Sequence, residues 1–303
     1  MGATTRWKDN QTKSMDDAIE IMCSSIKDDD RGSSVYRRNF SCRKLLEENS
    51  NISLNGQNIK YNIIKYKYEQ VTPQEDPADD RSIPKNGFIV ILEKGGGIYY
   101  IIDQNTSAKR LLRKLLSYEG RNEIEDASFN FGEDFFIWIV NRVYNSADPI
   151  ENSLGENTKI LQLEEIKGIK GNIEDLQTTV STSGEAVMKV ISTLSFLLES
   201  RRVNQVVLKL RYTDHENIVF KLQKNTIGIE SPYIGAFLET YLSNEELYGK
   251  IYLLLYYEIL PLLEQEYRMD LDEKKWGHQT YATFLTGIKN TIIEKIEEKI
   301  ESL

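Results

Sequence analysis

The tripeptide Glu165-Ile166-Lys167 has the Glu-x-Lys form that metal-dependent nucleases use. In such sites the Glu and an upstream Asp hold a divalent cation, while the Lys supports the attacking water. Asp134 or Asp148 is the candidate upstream carboxylate. We favour a solvated strand end, because a chain with 28% charged residues produces Glu-x-Lys by chance. A nuclease built on Asp148, Glu165 and Lys167 stays open as the alternative, and we expect no bound metal or cofactor.

Arg211, Asp214 and His215 form a second group with chemical potential, since a His oriented by an Asp can transfer protons. They fall in a predicted hairpin turn, where Asp and His are common for conformational reasons. The chain has only two His and two Cys, which leaves too few ligands for a soft zinc site. We therefore predict no catalytic constellation, and we expect Cys23 and Cys42 to be reduced structural thiols.

The run Gly95-Gly96-Gly97 is considered as a phosphate-binding loop, which lies between a strand and a helix N-terminus. Here a second apolar run follows the glycines directly, so the pattern predicts the turn of an antiparallel hairpin over residues 88–103.

Hydrophobic periodicity and turn signals predict the elements that must position these residues. Helices are expected over residues 14–30, 41–48, 108–118, 134–144 and 182–200, and strands over 59–68, 129–131, 159–166, 203–210 and 217–222. Thr182 with Glu185 and Ser243 with Glu246 have the capping-box spacing. Pro261 is expected to kink or break a C-terminal helix.

The order of these elements predicts an α+β fold with two mixed sheet/helix lobes and a helical C-terminal region. A proline-rich stretch, residues 72–87, is predicted to be an exposed loop inside the first lobe. Residues 146–157 are predicted to separate the two lobes. The expected parts are a helical N-terminal segment (1–53), an α+β lobe (54–147), a second α+β lobe (158–230) and a helical region (231–303).

The chain of 303 residues has a formal net charge of −9, which argues against a protein that coats DNA by neutralising phosphates. No stretch approaches the roughly 20 apolar residues that a membrane span needs. Residues 1–10 contain no apolar signal core. We therefore expect a cytoplasmic protein without a membrane partner.

Two basic segments stand out from this acidic background, and each has the charge to meet phosphates or an acidic protein surface. Their candidate residues are Arg37, Arg38 and Arg43 in one segment and Lys109, Arg110, Arg113 and Lys114 in the other. A solvated face or intramolecular pairing is the favoured interpretation. Nucleic acid is accordingly not expected as a direct ligand, although a nucleic-acid-binding accessory protein remains an alternative.

The C-terminal residues 233–303 contain 7 Lys and Arg against 13 Asp and Glu, and they are rich in Tyr. This composition favours a helical core first and an oligomer or partner interface second, since Tyr is enriched in interfaces. The partner-binding candidates are Tyr248, Tyr252, Tyr256, Tyr257, Glu264 and Tyr267.

The chain is rich in Ile, Lys, Asn and Tyr and has nine Ala, a composition that AT-rich codons produce. In size, acidity, mixed α/β content and the acidic, Tyr-rich segment Tyr241–Tyr267, it resembles the anti-Gabija inhibitors of phages that infect low-GC bacteria. No diagnostic motif accompanies the likeness, so no family residue is transferred. The resemblance implies a self-assembling protein that wraps a defence nuclease complex and blocks its access to DNA.

The sequence therefore predicts a non-enzymatic, homo-oligomeric protein that binds a host protein complex, most specifically a phage or mobile-element inhibitor of a bacterial anti-phage defence nuclease. A divalent-metal nuclease and a nucleic-acid-binding accessory protein of a defence system are the alternatives.

Overall fold

The chain folds as two compact units. The computed structural model describes residues 2–24, 26–31, 34–74, 80–153, 158–173, 178–183, 191–199, 202–230, 232–241 and 243–303. Unit 1 comprises Met1–Ser128 and Tyr241–Leu253, and unit 2 comprises Phe129–Thr240 and Leu254–Leu303. These two units replace the four predicted parts. The predicted boundary at 146–157 lies inside unit 2, because the helix at Glu133–Tyr144 packs on the sheet that follows it.

Unit 1 is built on a seven-stranded antiparallel sheet. Its strands are β1 (Thr5–Asp9), β2 (Tyr36–Lys44), β3 (Ser50–Leu54), β4 (Gln57–Thr72), β5 (Arg81–Lys94), β6 (Gly97–Ile102) and β7 (Ile124–Asp126). Its helices are α1 (Met15–Cys23), α2 (Ala108–Leu115) and α5 (Asn244–Leu254). The last residue of α5, Leu254, is assigned to unit 2. The strand order is β2-β4-β5-β6-β1-β7, with β3 also paired to β4.

Alternation along β4 and β5 gives the sheet two apolar faces. Ile64 and Ile89 belong to the face that α1 and α2 cover, together with buried residues of both helices. Ile63 and Val90 face α5, where they lie next to Gly249. Unit 1 thus has a helical layer on each face of the sheet.

The predicted hairpin at 88–103 is confirmed, since β5 and β6 pair from Ile89↔Ile102 to Lys94↔Gly97. Gly95 and Gly96 have φ values of 57° and 74°, the left-handed conformation of a two-residue turn between antiparallel strands.

Three predictions in this unit were wrong. The segment 1–53, predicted to be helical, also contains β1, β2 and most of β3. Residues 41–44 of the predicted helix 41–48 belong to β2, because they pair with β4 from Ser41↔Lys67 to Lys44↔Ile64. Residues 81–87 of the predicted loop belong to β5 and pair with β4, although they remain largely exposed. Residues 75–79 of that loop lie outside the described residues. Of the predicted helix 14–30, only the part Met15–Cys23, which is α1, is helical among the described residues.

Unit 2 contains the second antiparallel sheet and, where the structure describes it, the four α-helices named below. Its strands are β8 (Ile150–Asn152), β9 (Lys159–Ile173), β10 (Thr178–Ser183), β11 (Arg202–Tyr212), β12 (His215–Gln223) and β13 (Thr226–Ile229). Its helices are α3 (Glu133–Tyr144), α4 (Ile191–Glu199), α6 (Leu260–Asp272) and α7 (His278–Glu301). The strand order is β10-β9-β11-β12-β13, with β8 also paired to β9.

Helix α3 forms the centre of this unit. Six consecutive residues, Phe135–Val140, are all buried, because the helix contacts β9 and β11 as well as α6. The indole N–H of Trp138 donates to the Asp270 carboxylate at 2.8 Å, and Arg142 forms ion pairs with Asp270 and Glu266. A buried helix with charged contacts at its edges therefore connects the sheet to the C-terminal helices.

The backbone departs from a regular α-helix next to Pro261. Residues Leu255–Ile259 form a π-helical turn before α6, which has Pro261 in its first turn. Proline lacks an N–H and its ring crowds the preceding turn, so a wider turn accommodates it. The N–H of Glu246 donates to the hydroxyl of Ser243 at 3.2 Å, as the capping-box spacing predicts.

Two further predictions in unit 2 need correction. Residues 129–131 do not form a strand; Phe129 and Phe131 instead stack on each other with ring centroids 5.2 Å apart. Thr182 lies in β10, and the helix expected from there to residue 200 is α4. Glu185, the second residue of the predicted capping box, lies outside the described residues.

The two sheets and the C-terminal helices confirm the predicted α+β class. None of the helices described above is both long enough and apolar enough to cross a membrane.

The two helical glycines Gly249 and Gly287 lead to opposite expectations for the same substitution. A Cβ at Gly249 lies 2.7 Å from Cδ1 of Ile63, whereas a Cβ at Gly287 meets its nearest neighbour, Tyr144, at 3.5 Å. We expect Gly249→Ala to lower the free energy of unfolding by about 1 kcal/mol through overpacking. Gly287→Ala should raise it by about 0.5–1 kcal/mol through helix propensity. Urea denaturation of both variants checks this, and a gain at both positions contradicts the packing of α5.

Candidate binding groove

The turn between β11 and β12 packs against residues 232–240 in unit 2. Asn217 and Ile234 exchange backbone hydrogen bonds of 3.0 and 3.1 Å, which attaches this segment to the edge of β12. The N–H of Ala236 donates to the carbonyl of Asp214 at 2.9 Å, so the segment also contacts the tip of the turn. Asp214 has a φ of 66°, a conformation that short Asp and Asn side chains tolerate in turns.

Gly235 permits this close approach. A Cβ there lies 2.6 Å from the Tyr233 hydroxyl, 2.8 Å from Cα of His215 and 2.9 Å from the Asp214 carbonyl. Any larger residue at this position must therefore push the segment away from the turn.

His215 lies beneath this segment in an aromatic cluster formed by Tyr212, Tyr233 and Phe237. Its Nδ1 shares a short hydrogen bond with the hydroxyl of Tyr233, which also accepts from the N–H of Phe237 at 3.2 Å. Burial lowers the pKa of His215 to about 4, and the smaller opposing effect of Asp214 does not restore it. A base with this pKa is poorly matched to proton transfer near pH 7, so the geometry favours a structural role over the acid/base role weighed above.

A buried polar cluster fixes Tyr212 at the end of β11. The Tyr212 hydroxyl donates to the Glu258 carboxylate at 2.7 Å and accepts from the amide of Asn152 at 3.2 Å. Glu258, on the π-helical turn, is fully buried and also accepts from Lys159 at 2.6 Å. Burial together with the hydrogen bond to Glu258 raises the pKa of Tyr212, which therefore stays a neutral donor.

Above this cluster lies an open cavity of about 830 Å³, bounded by the start of β9, the turn and residues 234–239. Three large apolar side chains line it and remain exposed to solvent: Ile160 is 48%, Ile234 is 47% and Leu238 is 42% exposed. A second cavity of about 570 Å³ shares Arg211, Glu216 and Ile234 with the first. We call the two adjoining cavities the groove.

Charged residues surround the apolar side chains of the groove. Arg211 and Lys209 both form ion pairs of 2.8 Å with the same carboxylate, that of Glu164. Asp214, Glu216 and Glu239 also line the groove. Such an apolar patch with a polar rim is typical of an interaction site.

The tyrosines that the sequence offered as partner contacts lie mostly in the protein interior. Tyr252 is 0%, Tyr256 is 1% and Tyr257 is 5% exposed, so a docked partner cannot reach them without unfolding. Their burial corrects the interface interpretation for these three residues and supports the helical core that the sequence also allowed.

The remaining candidates of this region make contacts within their own unit. Tyr248 is half-buried in α5. The Tyr267 hydroxyl donates to Asp134 at 2.6 Å, and Glu264 forms an ion pair of 2.6 Å with Arg268.

Several of the basic candidates are paired with carboxylates inside unit 1. Arg38 pairs with Glu69 at 3.0 Å, Lys114 with Asp29 at 2.7 Å, and Arg113 lies 3.6 Å from Glu123. Arg37 places its guanidinium 5.6 Å from the ring centre of Tyr68.

The other three basic candidates, Arg43, Lys109 and Arg110, are exposed. The ion pairs of Arg38, Arg113 and Lys114 match the intramolecular pairing that the sequence analysis favoured.

The nuclease candidates form an ion pair instead of a metal cluster. Glu165 and Lys167 contact each other at 3.2 Å on β9, and Asp148 is exposed before β8. Within the described part of the chain, no three His, Cys, Asp or Glu side chains come together as metal ligands.

Sequence reasoning missed Ile160, Ile234 and Leu238. Ile160 was assigned to a strand and the other two to a helical region, so nothing marked them as exposed. The available signal was the pair Pro232 and Gly235, which interrupts any helix there.

The chain matches no protein-family model and no curated protein.

His215 predicts a loss of stability in acid. Its folded pKa of about 4 lies below the unfolded value of about 6.5, so the unfolded state takes up a proton first as the pH falls. Unit 2 should therefore lose up to about 3 kcal/mol of stability between pH 6.5 and pH 4. His215→Gln should remove this dependence, whereas the same change at the exposed His278 should not.

Urea denaturation at a series of pH values measures this effect. The fluorescence of Trp138 and Trp276 in a Trp7→Phe background reports on unit 2 alone. Equal pH slopes for both His variants would contradict the buried, neutral His215.

Glu258 and Glu165 form a matched pair for testing the buried cluster. We expect Glu258→Gln to destabilise unit 2 by about 2 kcal/mol, because it leaves Lys159 without its buried counter-charge. Glu165→Gln should change stability by less than about 0.5 kcal/mol, because its ion pair with Lys167 is partly solvated. The same denaturation experiment distinguishes them, and similar losses for both variants would exclude the assigned role of Glu258.

Proposed function

We propose that this chain is a non-enzymatic protein that binds another protein, and that the groove of unit 2 receives part of that partner. The observation that carries this proposal is the exposure of Ile160, Ile234 and Leu238 around one cavity. Keeping three large apolar side chains in water is unfavourable, and a partner that covers them recovers that free energy.

The interior of unit 2 supports a binding role for the groove. The ionisable side chains beneath it, His215 and Glu258, are buried, and each makes internal hydrogen bonds, His215 through Nδ1 and Glu258 through Oε1. They fix the turn between β11 and β12 and the segment 232–240, so the surface is preorganised. Preorganisation lowers the entropic cost of association.

The more specific form of the proposal is the one that the resemblance implies. The partner is then a host protein complex, in particular a bacterial anti-phage defence nuclease, and this chain acts in the host cytoplasm as an oligomeric inhibitor that blocks access to DNA.

A capture experiment with paired variants tests the proposal. Tagged wild-type protein is incubated with extract of a low-GC bacterium, and the retained proteins are identified by mass spectrometry, purified and titrated by calorimetry. We expect Ile234→Asp together with Leu238→Asp to weaken binding at least about tenfold, because a carboxylate cannot be buried against an apolar partner. Ile83→Asp is the matched control, since Ile83 is 52% exposed on β5 in unit 1.

The outcomes separate the general proposal from the specific one. Equal affinity of the double variant and the wild type excludes the groove as the binding surface. If the partner is a nuclease, wild-type protein should inhibit its DNA cleavage and the double variant should not. Glu165→Ala should retain full inhibition, and loss of inhibition by this variant in folded form would favour the metal-dependent alternative.

A further inference from the structure

The charges that line the groove are unequally satisfied. Both cations, Lys209 and Arg211, are engaged by the carboxylate of Glu164. Asp214, Glu216 and Glu239 make no ion pair with any residue that the structure describes. With Glu164, four carboxylates at the groove face two cations, so the apolar centre is flanked by an excess of negative charge.

Among the residues that the structure describes, neither of the two further basic side chains beneath the groove compensates for this charge. His215 is neutral near pH 7 because burial disfavours its protonated form. Lys159 already pairs with the buried Glu258. An occupant therefore meets a surface that is apolar at its centre and negative at its rim.

We infer that the groove binds a protein segment whose apolar side chains are flanked by Lys or Arg. The apolar side chains cover Ile160, Ile234 and Leu238, and the flanking cations lie near Asp214, Glu216 and Glu239. Complementary charge at the rim gives specificity and speeds association more than it adds affinity. The inference rests on the function proposed above and names the chemistry of the partner.

A protein segment fits this surface better than a small cation. The three apolar side chains come from the start of β9, from the residue bridged to β12 and from the 3₁₀ turn at Ala236–Glu239. Each of them is about half exposed, and together they line one open cavity. Covering all three requires several apolar groups in one chain, with charges outside them.

Two labelled peptides test the inference by fluorescence anisotropy with the full chain. One hexapeptide alternates Lys and Leu, and the other has Glu in place of every Lys. We expect the Lys peptide to bind at least about tenfold more tightly than the Glu peptide. Its affinity should fall as the NaCl concentration is raised from about 0.05 to about 0.5 M, because salt screens exposed charges.

Variants of the groove assign any binding to this surface. The double reversal Glu216→Lys and Glu239→Lys should weaken binding of the Lys peptide by about tenfold, since each reversal replaces an attraction by a repulsion. Glu119→Lys, an exposed single reversal in unit 1, should leave it unchanged. Ile234→Asp should reduce binding of a neutral peptide that alternates Ser and Leu, which separates the apolar contribution from the charge.

The outcomes distinguish this inference from the function it rests on. Equal binding of the Lys and Glu peptides, or no effect of the double reversal, overturns the inference. The proposed function survives that result if the captured partner still depends on Ile234 and Leu238. If lysine amide or spermidine binds as tightly as the Lys peptide, the inference of a protein segment is overturned in favour of a small cation.

Discussion

The hydrogen bond from Tyr212 to Glu258 is the contact on which the organisation of unit 2 depends. Tyr212 ends the strand that pairs with both β9 and β12, and Glu258 lies on the π-helical turn that precedes α6. Both side chains are fully enclosed, so the bond forms where water cannot replace it. Because His215 stacks beside Tyr212, the position of this one ring also determines the position of the segment that carries Ile234.

The π-helical turn shows how one backbone irregularity serves this contact. Pro261 cannot continue the preceding helix with normal hydrogen bonds, and the wider turn accommodates it. The turn carries Tyr256, Tyr257 and Glu258, and all three are buried. The segment 251–257 thus lies in a helical core, the use that the sequence analysis favours first for this region.

Elements with a local signal could be predicted from the sequence. The hairpin at 88–103 and helix α3 depend on turn glycines and on periodicity within a few residues, and both were found where expected. Strand β2 and residues 81–87 depend on pairing with β4, which no short window contains. The groove depends on the Asn217–Ile234 bridge and on the fit of Gly235, so its residues could not be recognised before the chain was folded.

Unit 1 is discontinuous, and this has a consequence for synthesis on the ribosome. Residues 1–128 contain the whole sheet and the helices of one face, but the helix that lies on Ile63 and Val90 is about 115 residues further along the chain. Until that helix emerges, one apolar face of a nearly complete sheet has no cover from its own unit. The nascent chain therefore depends on rapid completion or on chaperones, because exposed apolar sheet surface promotes aggregation.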